Sequence, residues 1–186
     1  MTHPYHHGDL PETLLRHAVE SIASRGPEGL SLRELARSAG VSHAAPAHHF
    51  GDRRGLLTAV AVQGQDLLSE AMEAALPEGF EHVAVAYVRF AGTHPGHFAV
   101  LHRRALLDGE DQELLAARAR SDRILEQGVL SLLAAQRGEL DVHQAKLAAW
   151  SLVQGIAALS ASGALAVDDV EQFTVRAAMQ LFRPTA

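Results

Sequence analysis

Three histidines and two arginines lie close together in one stretch of the sequence, between residues 43 and 54. His43, His48 and His49 can each donate to or accept from DNA base edges or phosphate oxygens. Arg53 and Arg54 would stand in the first turn of the following helix, where the helix dipole disfavours a cation. An anion would offset that cost, and a DNA phosphate held by guanidinium groups and helix-end amides is the obvious candidate. The spacing therefore predicts contact with a nucleic-acid backbone.

A second group of histidines raises the alternative of a helical metal-binding protein or enzyme that does not bind DNA. His94, His97 and His102 are closely spaced, but Pro95-Gly96 interrupts the helix that would align them on one face. The sequence has neither a Glu-x-x-His pair of the di-iron bundle type nor an HExxH motif, and its serines occupy no strand-to-helix elbow. We therefore expect no catalytic residue, no metal site and no cofactor.

Capping signals around the first cluster predict two short helices joined by a tight turn. Ser31 and Glu34 have the spacing of a capping box and begin the first helix. Gly40 suits the turn because it adopts a left-handed backbone without strain. Ser42 is positioned to cap the second helix, and Asp52 to cap a third. This arrangement is typical of a helix-turn-helix, whose second helix enters the major groove.

The predicted second helix carries small residues beside its histidines. Ala44 and Ala45 would let the helix sit deep in the groove and contact thymine methyl groups. Pro46 would be the fourth residue of a helix capped by Ser42, where it loses only a bond to the cap carbonyl. The alternative is that His43 and His48 simply form a solvated face, since a helix-turn-helix also serves as a packing device.

The run from Gly40 to Leu57 resembles the DNA-binding signature of TetR/AcrR-type bacterial transcriptional regulators. The matching residues are Val41-Ser42, His49-Phe50, Arg53 and Leu56-Leu57. Ala47 is a departure, because the family usually has an aromatic residue there, and one expected phosphate contact is lost. The resemblance and the chemistry together imply a set of DNA-contacting residues, namely Ser31, Arg33, Ser42, His43, Ala44, Ala45, His48, His49, Arg53 and Arg54.

The rest of the chain reads as helices, with no alternating strand pattern, so the fold class is all-α. Asp9 is a candidate cap for a first helix that ends at Gly26-Pro27. For the preceding arm, Tyr5–His7, contact with a phosphate or the minor groove is one interpretation and a frayed terminus is the alternative. Beyond the motif, the predicted helices span 52–75, 80–93, 95–107, 112–135, 142–162 and 168–182. We expect a helix-turn-helix DNA-binding domain over 1–54 and a helical-bundle domain for ligand binding and dimerisation over 55–186.

Parts of the second domain resemble the WHG type of TetR C-terminal domain. The matching segments are Tyr87–Phe90, His94–Phe98 and Trp150, the last followed by Gln154-Gly155 where the subgroup has histidine-glycine. The resemblance implies a small-molecule site built from Phe90, His94, Phe98, His102, Trp150 and Gln154. Trp150 and Gln154 share a helix face by their spacing, with Gln154 as a polar anchor. The alternative for Trp150 is an ordinary core position.

Charge and composition further limit the class of protein and the kinds of site that the chain can contain. The net charge is −6, but residues 1–54 carry six arginines and six acids, so the acidic excess lies entirely beyond them. This is not basic enough to indicate nucleic acid unaided, so affinity should depend on a few placed contacts and on dimerisation. Cysteine is absent, which excludes disulfides and thiolate metal sites. No membrane span or signal peptide is visible, so we expect a cytoplasmic protein.

These features together predict a homodimeric transcriptional regulator rather than an enzyme. In proteins of the TetR type the last two long helices pair with their copies across a two-fold axis. One helix-turn-helix rarely suffices for specific affinity, whereas a symmetric pair reads a palindrome. We expect a repressor that binds a palindromic operator in double-stranded DNA and is released by a small-molecule effector.

Overall fold

Helices account for all the regular secondary structure that the computed structural model describes, over residues 10–136 and 141–182. The all-α prediction is therefore confirmed. Short 3-10 turns cover Pro27–Gly29, Leu76–Glu78 and Arg104–Leu106. None of the helices in these ranges is long and apolar enough to cross a membrane. The helices are α1 (Leu10–Arg25), α2 (Leu32–Ser38), α3 (Ala45–Phe50), α4 (Arg53–Ala75), α5 (Phe80–Thr93), α6 (Pro95–Leu101), α7 (Gln112–Gln136), α8 (Val142–Ala161) and α9 (Val170–Leu181).

The start of α3 corrects the sequence prediction. The helix begins at Ala45 with Ala44 as its cap residue, so Ser42 does not cap it and no side chain does. Pro46 is consequently the second helical residue rather than the fourth. Proline costs little in the first turn, because an amide hydrogen there has no partner within the helix. A helix beginning just after Ser42 would have lost a backbone hydrogen bond at Pro46.

Two other helix boundaries differ from the prediction by two residues or more. The helix that begins at Pro95 ends at Leu101 instead of continuing to residue 107, and a 3-10 turn follows it. The last helix begins at Val170, because the side chain of Asp169 caps it by accepting from the backbone nitrogen of Gln172 at 2.9 Å. Asp9 and the arm Tyr5–His7 lie outside the described residues.

The chain divides into two compact units. The first unit comprises the residues up to Gly64 together with Gly96–Leu115, and the second comprises Gln65–Pro95 together with the residues from Ala116 onward. Helix α4 therefore contributes its N-terminal half to the first unit and its C-terminal half to the second. The predicted boundary after residue 54 separates a DNA-binding domain from a domain for ligand binding and dimerisation. That division stays a prediction.

Each unit has its own buried apolar residues. In the second unit α5 is buried on nearly every side and packs against α8 and α9. A helix that is apolar all round belongs inside a bundle. In the first unit the buried side chains come from α1, α2, the start of α4 and α6, and include Leu14, Ile22, Leu35, Leu56, Leu57, Val100 and Leu101.

Candidate nucleic-acid interface

Helix α2 begins at the predicted cap and is tied to α1. The hydroxyl of Ser31 accepts from the backbone nitrogen of Glu34 at 3.5 Å. The Glu34 side chain does not return to Ser31, as a full capping box would require. It instead accepts from Arg25 at 2.8 Å, and this hydrogen bond with the Arg25 charge lowers the pKa of Glu34. The first two helices are thus joined by an ion pair that the motif did not indicate.

The turn between α2 and α3 has the geometry that the glycine predicted. Gly40 has a φ of 68°, in the region where glycine is unstrained. The amide of Val41 donates to the carbonyl of Ala36 at 3.0 Å, and that of Gly40 donates to Arg37 at 3.2 Å. This pair of bonds is the Schellman arrangement, which satisfies the last carbonyls of α2. The turn therefore fixes where the chain enters α3.

Helix α3 and the residues before it present one polar, solvent-exposed side. Pro46 is buried, whereas Ala45 and Phe50 are half-buried and keep part of their surface open to solvent. The exposed residues of this segment, which we call the recognition segment, are Ser42, His43, Ala44, Ala47, His48 and His49. The rings of His48 and His49 meet edge to face with their centroids 5.4 Å apart. Imidazoles and small side chains are thus the groups that this surface offers to a ligand.

The two arginines after α3 make contacts within the first unit. The Nη2 atom of Arg53 donates to the carbonyl oxygen of Pro27 at 2.6 Å, and its Nε atom is buried without a hydrogen bond to any described residue. The Nε atom of Arg54 donates to the carbonyl oxygen of Leu107 at 2.9 Å. The two cations at the start of α4 therefore donate to backbone carbonyl oxygens, whereas the sequence predicted a phosphate as their partner. A phosphate contact by either arginine stays a prediction.

Sequence reasoning missed the residues that hold the segment after α6 in place. Thr58 is buried, and its hydroxyl accepts from the backbone nitrogen of Asp108 and donates to the carbonyl of Arg54. Arg103 pairs with Glu28 at 3.0 Å. A threonine on the apolar side of a helix indicates that its hydroxyl needs a hydrogen-bond partner. The sequence does not identify that partner, because Asp108 lies 50 residues away in the chain.

Two cations of α2 are left exposed. Arg33 and Arg37 form no side-chain hydrogen bond or ion pair within the ranges that the structure describes, and both are open to solvent. Ser31 and Arg33 are the predicted contacts on this helix, and the cap leaves Ser31 half-buried. Arg33 is thus a predicted DNA contact that, like the recognition segment, is open to solvent and makes no side-chain hydrogen bond or ion pair with a described residue.

Comparison with known proteins matches both parts of the chain. Residues 14–60 match the family model of bacterial regulatory proteins of the tetR family. Residues 80–181 match the tetracyclin repressor-like C-terminal domain. The chain belongs to the TetR family. It is therefore a DNA-binding transcriptional regulator and not an enzyme, whereas its assignment to the WHG subgroup stays a prediction.

Solved structures share the fold of this TetR-family regulator over nearly its whole length. A protein of unknown function from Rhodococcus sp. RHA1 is 36% identical, with 97% of each chain covered and a TM-score of 0.82. PfmR from Thermus thermophilus, a TetR family transcriptional regulator, is 22% identical over 90% of this chain and 96% of its own, with a TM-score of 0.69. FadR from Bacillus subtilis, solved in complex with stearoyl-CoA, is 14% identical over 91% and 96%, with a TM-score of 0.71. None of the curated protein sequences compared with the chain matches it.

In the second unit of the regulator, four of the predicted ligand residues form two pairs. The Tyr87 hydroxyl donates to the Oε1 atom of Gln154 at 2.6 Å and also hydrogen-bonds with Trp150, so these three side chains meet between α5 and α8. Burial raises the pKa of Tyr87 to about 12, while the bond with Trp150 acts in the opposite direction. Phe90 is buried, and its ring stacks on His94 at a centroid distance of 4.8 Å. Trp150 is 37% exposed, so it is not an ordinary core residue in this chain.

The remaining two ligand candidates, Phe98 and His102, belong to the first unit. Their rings meet edge to face at 6.1 Å. The unit also has an open surface groove of about 470 Å³ between α1 and α2. Its lining includes Glu20, Arg25 and Glu34 and none of the predicted ligand residues. The proposed effector set therefore has members in both units, and its assembly into one site stays a prediction.

The histidines that suggested a metal each have another partner. His94 stacks on Phe90 and its Nδ1 atom lies 2.9 Å from the Thr93 hydroxyl, whereas the Nε2 atom of His97 bonds with Gln63 at 3.0 Å. Nowhere in the described ranges do three His, Asp or Glu side chains group as a metal ion would require.

Proposed function

We propose that this TetR-family regulator is a homodimeric repressor that binds a palindromic operator and is released by a small-molecule effector. The observation that supports it most strongly is the exposed recognition segment, Ser42 to His49, presented by a capped α2 and a Schellman turn. Its small side chains permit close approach to base pairs, and its imidazoles supply hydrogen-bonding groups. Because such a regulator acts on DNA, we place it in the cytoplasm.

The proposed DNA contacts follow the chemistry of each side chain. His43, Ala44, Ala45 and His48 would face base edges, and Ser42, His49 and Arg33 the phosphates. Ser31 would contact the backbone through the start of α2. Arg53 and Arg54 keep their positive charge while donating to carbonyl oxygens, so they contribute a favourable potential even without a direct phosphate contact.

Exposed apolar side chains on the last two helices support the dimer. Leu147, Trp150 and Leu159 of α8 are 44%, 37% and 48% exposed, and Met179 and Leu181 of α9 are 56% and 37% exposed. Large apolar side chains that stay exposed in the single chain are candidates for burial in an interface. A two-fold pairing would present two recognition segments to successive major grooves, about 34–36 Å apart.

The effector would act by favouring a conformation in which the two recognition segments no longer match that spacing. The candidate residues in the second unit, Phe90, His94, Trp150 and Gln154, combine aromatic surface with one polar anchor, as small-molecule sites do. The complex of FadR with stearoyl-CoA illustrates one ligand carried by this fold and does not identify the effector here.

A mobility-shift titration tests the proposal. Duplex DNA selected by the purified protein from a random-sequence library should show a palindromic consensus, a shift by one dimer and weakening as salt rises. The control is a scrambled duplex of the same composition. Failure to enrich any sequence, or a shift that salt does not weaken, would refute operator binding. A strictly monomeric protein that still binds with full affinity would refute the dimer.

A further inference from the structure

The ionisable groups of the recognition segment are all histidines. His43, His48 and His49 are exposed, and none makes a side-chain hydrogen bond or an ion pair with a described residue. Histidine is the side chain whose charge ordinarily changes between about pH 5 and pH 8. The positive charge that this surface presents therefore depends on pH, unlike that of a surface built from arginine or lysine.

Most of the permanent cations on the neighbouring elements are already engaged. Arg16 pairs with Glu20, Arg25 pairs with Glu34, and Arg53 and Arg54 donate to backbone carbonyls. Among the arginines of α1, α2 and the start of α4, Arg33 and Arg37 are the ones left open to solvent without a described side-chain partner. The charged and titratable groups on α1, α2 and the start of α4, which surround α3, are Glu12, Arg16, His17, Glu20, Arg25, Arg33, Glu34, Arg37, Asp52, Arg53 and Arg54.

A phosphate placed against these histidines would favour their charged form. The centroids of the His48 and His49 rings are 5.4 Å apart, so one phosphate can lie near both rings. A DNA phosphate stabilises a nearby imidazolium ion through its opposite charge and through a charge-assisted hydrogen bond to each ring it contacts. The complex therefore binds more protons than the separated protein and DNA.

We propose that operator binding is coupled to proton uptake by His43, His48 and His49, so that affinity rises as pH falls. This inference rests on the proposed function, because it requires the recognition segment to contact DNA. The sign follows from linkage. Protons that are bound only in the complex favour the complex at low pH, and their contribution is lost as pH rises.

The first test measures affinity for the selected duplex at fixed salt across about pH 6 to pH 8. We expect binding to be at least about tenfold tighter at the lower limit, with a steeper salt dependence because more counterions are released. Calorimetry in two buffers of different ionisation enthalpy should show net proton uptake. Tight binding whose affinity is the same across this range would overturn the inference and leave the proposed function standing. No binding at any pH would instead refute the proposed function.

Substitutions assign the protons to individual side chains. His43→Gln, His48→Gln and His49→Gln should each flatten the pH dependence, mainly by losing affinity at low pH. His49→Arg should flatten the pH dependence by gaining affinity at high pH, because guanidinium stays charged there, while His43 and His48 keep their share of the dependence. His143→Gln, at an exposed histidine of α8 outside the recognition segment, is the matched control and should keep the wild-type slope. A slope left intact by all three glutamine variants would place the protons elsewhere and overturn the inference. Circular dichroism of each variant at both pH limits checks that the fold is retained.

Discussion

At the scale of single residues, arginines of the first unit fall into two classes. Arg33 is exposed and uncommitted among the described residues, whereas Arg53 donates to Pro27 and buries its Nε atom. Arg33→Gln should leave the free energy of unfolding within about 0.5 kcal/mol and lower the salt slope of operator binding by about one per protomer. Denaturant unfolding and a salt titration of the DNA complex measure the two effects.

Arg53→Gln is the paired variant and should behave differently. Glutamine is too short to reach the Pro27 carbonyl, so we expect a loss of about 1–3 kcal/mol in the free energy of unfolding. Arg53→Lys restores the charge but not the planar donor geometry, and should recover only part of that loss. Wild-type stability in Arg53→Gln would contradict the anchoring role and return Arg53 to the set of direct phosphate contacts.

Tyr87 is a residue-scale prediction in the second unit. Because its folded pKa of about 12 lies above the ordinary value of 10, folding stability should be complete below pH 10 and fall as pH rises through the folded pKa. We expect a loss of about 2–3 kcal/mol over that interval, and Tyr87→Phe should abolish it while costing about 1 kcal/mol at neutral pH. Absorbance titration of tyrosinate, with Tyr5→Phe as the control, follows the same ionisation. Titration of Tyr87 at its ordinary pKa would show that the hydroxyl is not buried in solution.

At the scale of helices, the approach of α6 to α1 depends on Gly96. A Cβ atom there would collide with the backbone carbonyl oxygen of Val19 in the first unit. Gly96→Ala should therefore lower the free energy of unfolding by about 2 kcal/mol or more, despite the higher helix propensity of alanine. Gly92→Ala is the matched control, because a Cβ at Gly92 meets no atom within 4 Å, and it should stabilise α5 slightly. Thermal unfolding of both variants decides the point, and equal shifts would argue against the contact.

At the scale of the whole molecule, the proposed dimer makes the activity depend on residues that do not contact DNA. Leu159→Glu and Met179→Glu each place a charge on the exposed apolar surface of α8 and α9, which should yield a folded monomer by sedimentation. Operator affinity should fall by at least about a hundredfold, because a monomer engages one half-site. Leu115→Glu, at a leucine of the first unit that is 42% exposed, is the control and should remain dimeric. A dimeric Met179→Glu protein with normal affinity would place the interface elsewhere.

How far the sequence predicted the structure depends on the distance over which each interaction acts. The cap at Ser31, the turn at Gly40 and the bounds of α5 and α8 were predictable, because capping, backbone conformation and apolar periodicity are local properties. The start of α3 was misjudged because Pro46 was accepted as the fourth helical residue at the cost of one backbone hydrogen bond, whereas the helix begins later and has Pro46 in its first turn, where no bond is lost.

The sequence by itself determined the helical fold, the family signature and the exposed, histidine-bearing recognition segment, since each follows from neighbours a few residues apart. Only the tertiary structure decided that Arg53, Arg54 and Tyr87 are committed to Pro27, Leu107 and Gln154. These partners lie 26, 53 and 67 residues away along the chain. Side-chain type shows that a guanidinium or a buried hydroxyl needs an acceptor, but only packing brings one particular acceptor within reach.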